Sequence, residues 1–336
     1  MNHLPELEEL ERIIDLGRTQ LDVKVVHRVT PHAGADLPVY AIGLGNPSTD
    51  VPAIGFFGGV HGLERIGAEV VIAWLHNLVM RLQWDTTLYQ QLQSVRLVFM
   101  PIVTPGGMLM GTRANPQGVD LMRNAPVDAV NTVPFLVGGQ RISAGLPWYR
   151  GKPGAPMEGE NLALCQVVAT ELLNRKFSMA LDCHSGFGAR DRIWFPFAHT
   201  SKPIAHLAEI QALHDVFLQT HSHHAYVFEP QSLQYLAHGD IWDHLYLQAC
   251  ADTQRVFLPL TLEMGSWLWI KKNPRQMFSL KGIFNPLIEH RQHRVLRRHL
   301  SLLDFLSRAA CSHVRWTPAP EARAKLHADA LKNWYD

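Results

Sequence analysis

Cysteine is scarce in this chain. The four among 336 residues, at positions 165, 183, 250 and 311, lie too far apart for a Cys-x-x-Cys metal pattern or a dense disulfide frame. A reducing cytoplasm is therefore the expected compartment. Charge of one sign is also lacking: 31 Lys and Arg stand against 30 Asp and Glu, so no global field draws the chain to nucleic acid or to an anionic membrane. No apolar run reaches membrane length. The first twenty residues, "MNHLPELEELERIIDLGRTQ", are acidic and amphipathic and lack the basic start and continuous apolar stretch of a signal peptide. With no linker, charge block or internal repeat to divide it, the chain is expected to form one domain over residues 1–336. A small-molecule or peptide substrate fits these absences, and neither nucleic acid nor a membrane does.

What is present is a large apolar fraction, 47%, arranged in short stretches. "VKVVHRV" (23–29), "VYAIGLG" (39–45), "AIGFFGGV" (53–60), "VRLVFMPIV" (95–103), "FSMALDCHS" (177–185) and "VFLPLTLEMG" (256–265) have strand length and end in Gly, Pro or polar turn residues. Helical patterns lie between them, at 64–82, 158–174, 203–220 and 285–309. Continuous apolar strands alternating with helices predict an α/β fold, a mixed sheet covered on both faces. The intervals 104–120 and 124–157 are long and rich in Gly, Pro and Arg, the kind of loop that carries function. The segment 315–336 is expected to be a packed or frayed tail with a short helix.

Nineteen histidines raise the question of a metal. "HSHH" at 221–224 is the densest cluster, but consecutive side chains point in different directions unless the backbone turns sharply, so His221, His223 and His224 are expected to be a solvated or loop cluster and not a ligand set. "FFGGVHGLERIG" (56–67) is more specific. Its glycines let the chain turn where a strand ends, and His61 and Glu64 fall at the start of the next helix, where two ligands can converge on one ion. A third comes from "ALDCHSGFG", in which His184 ends another apolar strand, and "LPLTLEMGS" ends a third strand in a lone acid, Glu263. A carboxylate at a buried strand end needs a partner or a task. His61, Glu64 and His184 form the His2Glu set of hydrolytic zinc sites, which leave a position for water, and Glu263 is the candidate general base.

In this order the motifs resemble those of the zinc carboxypeptidases, the carboxypeptidase A-like or funnelin metallopeptidases, over about residues 50–270. "HGLE" resembles the motif of the first two ligands, "TRANPQGVDLMRN" (112–124) the arginine-bearing loop and "LDCHS" the third-ligand strand. "YLAHGDIWDHLY" (235–246) is similar to the mobile tyrosine loop, and "LTLEMG" to the catalytic glutamate strand. The resemblance implies a carboxypeptidase/phosphorylase-like fold: one twisted sheet of about eight parallel and antiparallel strands with helices on both faces. It implies one zinc ion per chain and hydrolysis of an amide next to a free carboxylate, in a peptide or an N-acyl amino acid. Arg113 would stabilise the oxyanion, Arg123 would grip the terminal carboxylate, Tyr235 would close over the substrate, and Asp120 would hydrogen-bond His61 from behind. Trp242 would help form the pocket for the departing side chain, with Asp240 nearby to favour a basic one.

One position departs from the pattern. Where the family usually has Asn-Arg for carboxylate recognition, this chain has Met122-Arg123, and methionine brings no donor. Amide hydrolysis by a metal is thus better supported than exopeptidase selectivity. Two alternatives remain at this point: an N-acyl amino acid deacylase resembling the succinylglutamate desuccinylase and aspartoacylase branch, and a binding protein that keeps the fold without catalysis.

Overall fold

A computed structural model describes residues 3–31 and 36–336 of the protein. Its centre is an eight-stranded mixed sheet built from β1 (Asp22–Val29), β2 (Leu37–Gly45), β3 (Ala53–Gly58), β4 (Arg96–Met100), β5 (Phe177–Ser185), β6 (Arg192–Phe195), β7 (Val227–Pro230) and β8 (Val256–Met264). Their order across the sheet is β1-β2-β4-β3-β5-β8-β6-β7. The central strands β4, β3, β5 and β8 are parallel neighbours, while β1, β2 and the β8–β6 pairing are antiparallel. Central position explains the apolar runs. Every residue of β3, β4 and β5 is buried, so these strands lack the inside–outside alternation of a half-covered sheet.

The six stretches read as strands are strands, with ends within a few residues of the structure. Two more, β6 and β7, are only four residues each. The four helical patterns appear as Arg65–Arg81, Gly159–Glu171, Leu207–Thr220 and Glu289–Cys311, and the tail forms the helix Pro320–Trp334. His221, His223 and His224 lie in a loop, as their spacing predicts. The interval 104–120, expected as loop throughout, opens with the short helix Pro105–Met110. Thr104 caps it by accepting from the Gly107 N–H at 3.3 Å, and proline occupies its first turn, where a missing N–H costs nothing. Among the described residues no helix is long and apolar enough to cross a membrane.

The parallel strands matter for function because β3 and β5 end side by side, as do β5 and β8. In register, His184 of β5 lies directly beside Glu263 of β8. Direct cross-strand partners share a face of the sheet. The same face therefore carries Asp182, Thr261 and Trp194, the row one step further in.

Candidate metal centre

Beyond β3 the chain makes a tight turn before the helix Arg65–Arg81, with the Glu64 N–H bonded to His61 O at 3.1 Å. Two glycines permit it. A Cβ on Gly62 would sit 2.1 Å from the Gly107 carbonyl carbon, and one on Gly67 would sit 2.1 Å from Cys183 O. Larger residues would push the turn off its neighbour and the helix off β5. Asn285 fastens the helix start from a distant part of the chain. Its Oδ1 accepts from the Ile66 N–H at 2.9 Å and its Nδ2 donates to Leu63 O at 2.7 Å. Glu64 stands at the N-cap but does not cap with its side chain; its carboxylate turns toward the end of β5.

There the three sequence-predicted ligands meet. One ligand atom from each of His61, Glu64 and His184 lies within 4.8 Å of the others, and all three residues are buried. Glu64 Oε2 accepts from the Ser185 N–H at 2.9 Å and lies 3.0 Å from His184 Nδ1. Burial pushes the Glu64 carboxyl up, but His61, His184 and Arg113 outweigh it and hold the group at about 2. Burial, then the Arg113 charge, lowers His61 to about 4, which leaves its imidazole neutral. The buried Nδ1 of His61 has no hydrogen-bond partner among the described residues. A neutral imidazole, an ionised carboxylate and a second imidazole form the donor set of an open zinc site, and a buried nitrogen without a partner fits a cation there.

His184 is held by a residue that the motif reading missed. Its Nε2 lies 2.7 Å from Asp182 Oδ2, which also accepts the Trp242 indole N–H at 2.8 Å. Burial disfavours a charged His184, but Asp182 and then Glu64 raise its pKa well above the ordinary histidine value. Asp182 precedes His184 by two positions on a strand, so both side chains take one face. That spacing was the available signal. A carboxylate behind a ligating imidazole fixes its orientation. Asp182→Asn is expected to weaken zinc binding about 10- to 100-fold, to be measured by competition with a fluorescent chelator.

This contact overturns the expected role of Trp242. Instead of lining a substrate pocket it is 2% exposed, its ring packs edge-on against Phe57 at 4.9 Å, and its N–H is committed to Asp182. Asp240 caps the helix Ile241–Ala249 by accepting from the N–H groups of Trp242 and Asp243, both at 2.9 Å. The indole at the start of that helix points inward, onto Asp182 and Phe57. Asp240 itself is buried in that cap and does not line the cavity.

Asp120 also differs from expectation. Its Oδ1 lies 3.7 Å from His61 Nδ1, too far for a hydrogen bond. Its oxygens instead accept from the Met122 N–H at 3.0 Å and from Arg113 Nε at 2.8 Å. Arg113 bridges outward from there, with Nη1 donating to Glu64 Oε1 at 3.1 Å and Nη2 lying 2.7 Å from His61 Nε2. Its positive charge thus sits beside the ligand set.

A cavity of about 330 Å³ opens over these groups, lined by Arg113, Met122, Arg123, Tyr235, Glu263 and the three ligands. It also meets Val137 and Trp148 from the long interval 124–157, a loop whose length had marked it as functional. Glu263 accepts from the Phe187 N–H at 3.0 Å. Burial first, then the neighbouring Glu64 charge, raises its carboxyl to about 8. Arg123 is 2% exposed. It donates to Val137 O at 3.1 Å and Met122 O at 3.0 Å, and its guanidinium lies 5.8 Å from the centre of the Tyr235 ring. Among the described residues it pairs with no carboxylate. Gln231, Thr261, Phe187, Trp194 and Phe284 also line the cavity; the motifs did not single them out.

The sequence profile described as zinc carboxypeptidase matches residues 22–266, and that interval holds all three ligands, both arginines, Tyr235 and Glu263. The chain belongs to the zinc carboxypeptidase family. Solved structures agree in fold. Bovine thrombin-activatable fibrinolysis inhibitor, in complex with tick carboxypeptidase inhibitor, is 15% identical with a TM-score of 0.64, covering 91% of this chain and 95% of that one. Carboxypeptidase A from Helicoverpa armigera is 14% identical with a TM-score of 0.58, covering 87% and 71%. A metallo-carboxypeptidase from Burkholderia cenocepacia is 13% identical with a TM-score of 0.53, covering 90% and 68%. No curated protein matches by sequence. Members of this family are zinc hydrolases, and the buried His-Glu-His group is the candidate site for that ion.

Proposed function

We propose that the protein is a zinc-dependent carboxypeptidase-like hydrolase, cleaving an amide bond next to a free carboxylate. One observation carries the reading: Arg123 is buried, makes no direct ion pair among the described residues although the Asp120 and Asp240 charges lie near it, and lines the same cavity as the ligand set and Glu263. A buried guanidinium is costly without an anion, and a substrate carboxylate would supply one.

His61, Glu64 and His184 would hold zinc, which when bound supplies Lewis acidity to a carbonyl and lowers the pKa of water. Everything else follows from the chain's own groups. Glu263 takes the proton from the attacking water and returns it to the leaving amine. Burial and the neighbouring Glu64 charge hold its carboxyl above the ordinary carboxylate range, the direction that suits a group passing a proton near neutrality. Arg113, beside His61 and Glu64, offers N–H donors to the oxygen that becomes negative as the carbonyl turns tetrahedral. Arg123 orients the leaving part through its carboxylate, and the Tyr235 ring packs over Arg123. Met122, 5% exposed on the cavity wall, adds apolar contact where the family usually has an amide. The carboxylate grip therefore rests on the arginine.

The test is hydrolysis of N-blocked dipeptides by zinc-loaded protein, beside C-terminally amidated counterparts and N-acyl amino acids. Cleavage of the free-carboxylate dipeptides, abolished by a chelator and restored by zinc, is the expected result. Preference for amidated substrates would overturn the reading. Preference for N-acyl amino acids would favour a deacylase.

A further inference from the structure

Past Arg123 and the ligand set, the cavity runs against the β8–β6 side of the sheet. Thr261 of β8 is the direct partner of Trp194 of β6, and Trp194 of Glu229 of β7, so all three share the face that bears Glu263. Gln231 follows β7 at once, and the Tyr235 N–H bonds back to its carbonyl at 3.4 Å. Trp194 stands edge-on to Tyr235 at 6.2 Å and at 5.3 Å from Phe187. These rings line the cavity together with Thr261 and Gln231, and this side of it is here termed the slot.

Those two side chains are the unusual feature. Thr261 is 8% exposed and Gln231 7%, both line the cavity, and neither side chain has a hydrogen-bond partner within the protein among the described residues. Their polar atoms are not sealed from solvent: the amide and the hydroxyl open onto the cavity, where a ligand group with its own donor or acceptor can take the place of water. The charges nearby are already matched. Glu229, behind Trp194, accepts from Arg192 at 2.5 Å, from the Trp194 N–H at 3.0 Å and from Gln234 at 3.0 Å. Glu64 and Glu263 are the acids lining the cavity, and both have tasks there. A lysine or arginine side chain would find no free carboxylate, and an aliphatic one would leave the amide and hydroxyl unpaired.

We infer that this slot selects a leaving residue whose side chain is uncharged and ends in a hydrogen-bonding group, a carboxamide or a phenol, with Gln231 as the specificity-determining residue. The inference rests on the amide-hydrolase reading and deepens it. Two substrate pairs isolate the polar terminus at nearly constant shape: N-blocked dipeptides ending in Gln or Met, and in Tyr or Phe. A site built to hydrogen-bond a group discriminates strongly against the analogue that lacks it, so at least one polar member is expected to lead its partner by about tenfold or more in kcat/KM, with Lys and Arg below both. Gln231→Leu should bring that ratio to within about threefold of unity. Thr261→Val, checked for native zinc content and melting temperature, should lower the same ratio and guards against a Gln231 variant that fails to fold. If Met and Phe substrates equal or exceed Gln and Tyr, or if neither variant moves the ratio, the inference fails while the hydrolase reading stands. If no dipeptide is cleaved, the hydrolase reading fails. Calorimetry with free L-glutamine against L-methionine, and L-tyrosine against L-phenylalanine, then decides the slot, and equal affinities within both pairs overturn it.

Discussion

Glu263→Gln should retain stoichiometric zinc and lose about three orders of magnitude in kcat, the middle of the range for removing a positioned acid–base group. The substitution preserves shape, and glutamine can still accept from the Phe187 N–H that holds Oε1 at 3.0 Å. It removes the proton acceptor while leaving His61, Glu64 and His184 untouched. Metal analysis beside single-turnover kinetics reads the two effects separately. Turnover within a few-fold of the parent would sink the assignment of Glu263 as base. Loss of zinc would show instead that Glu263 supports the ligand set. The register favours the first outcome, because β5 places His184 and β8 places Glu263 as direct partners, and the two backbones hold each other.

That geometry also explains which parts of the site were legible in the sequence. His61, Glu64, His184 and Glu263 stand at the ends of buried central strands or in the turn after one, and such strands stand out as apolar runs closed by glycine. A polar residue at the end of such a run has few structural explanations. Asp182 was harder to see because it lies inside the run, where the strand alternation that aligns it with His184 competes with a nearly unbroken apolar pattern. Strands β6 and β7, four residues each, are too short for any pattern to show. With them went Trp194 and the slot it walls.

Trp242 and Asp120 illustrate a different limit. Position in a motif gives the neighbourhood of a side chain, whereas its direction depends on backbone details that a motif does not carry. Asp240 accepts from two N–H groups and starts a helix there, and the indole of Trp242 is held on Asp182 and Phe57 instead of the cavity. Asp120 reaches the neighbourhood of His61, but its oxygens are taken by Arg113 and by the Met122 N–H. In both cases a local hydrogen bond of under 3.1 Å outcompeted the longer-range contact that sequence position suggested. The helix Pro105–Met110 is similar: "PGGMLM" reads as a loop from its glycines, yet Thr104 supplies the cap that starts it.

The departure at Met122 makes Arg123 the residue on which exopeptidase selectivity turns. Arg123→Met keeps an apolar stem beside Val137 and Tyr235 and removes the guanidinium. Truncating one member of a buried, hydrogen-bonded charge pair costs about 3 kcal/mol, roughly two orders of magnitude, so kcat/KM on free-carboxylate dipeptides should fall by about that factor. The amidated counterparts, which never made the pair, should fall far less, and the ratio between the two substrate classes should collapse toward unity. This ratio separates a lost carboxylate contact from general damage, which would lower both rates together. If instead the ratio survives, the carboxylate is held elsewhere, and Arg113 is the next candidate because it is the other guanidinium on the cavity wall. A surviving ratio would also leave Arg123 as a buried cation with no direct ion pair among the described residues, held by two carbonyls and the Tyr235 ring. Replacing such a charge with an apolar side chain commonly stabilises a protein. A higher melting temperature with unchanged selectivity would therefore assign Arg123 a structural role, and an unchanged or lower one with collapsed selectivity would assign it to the substrate.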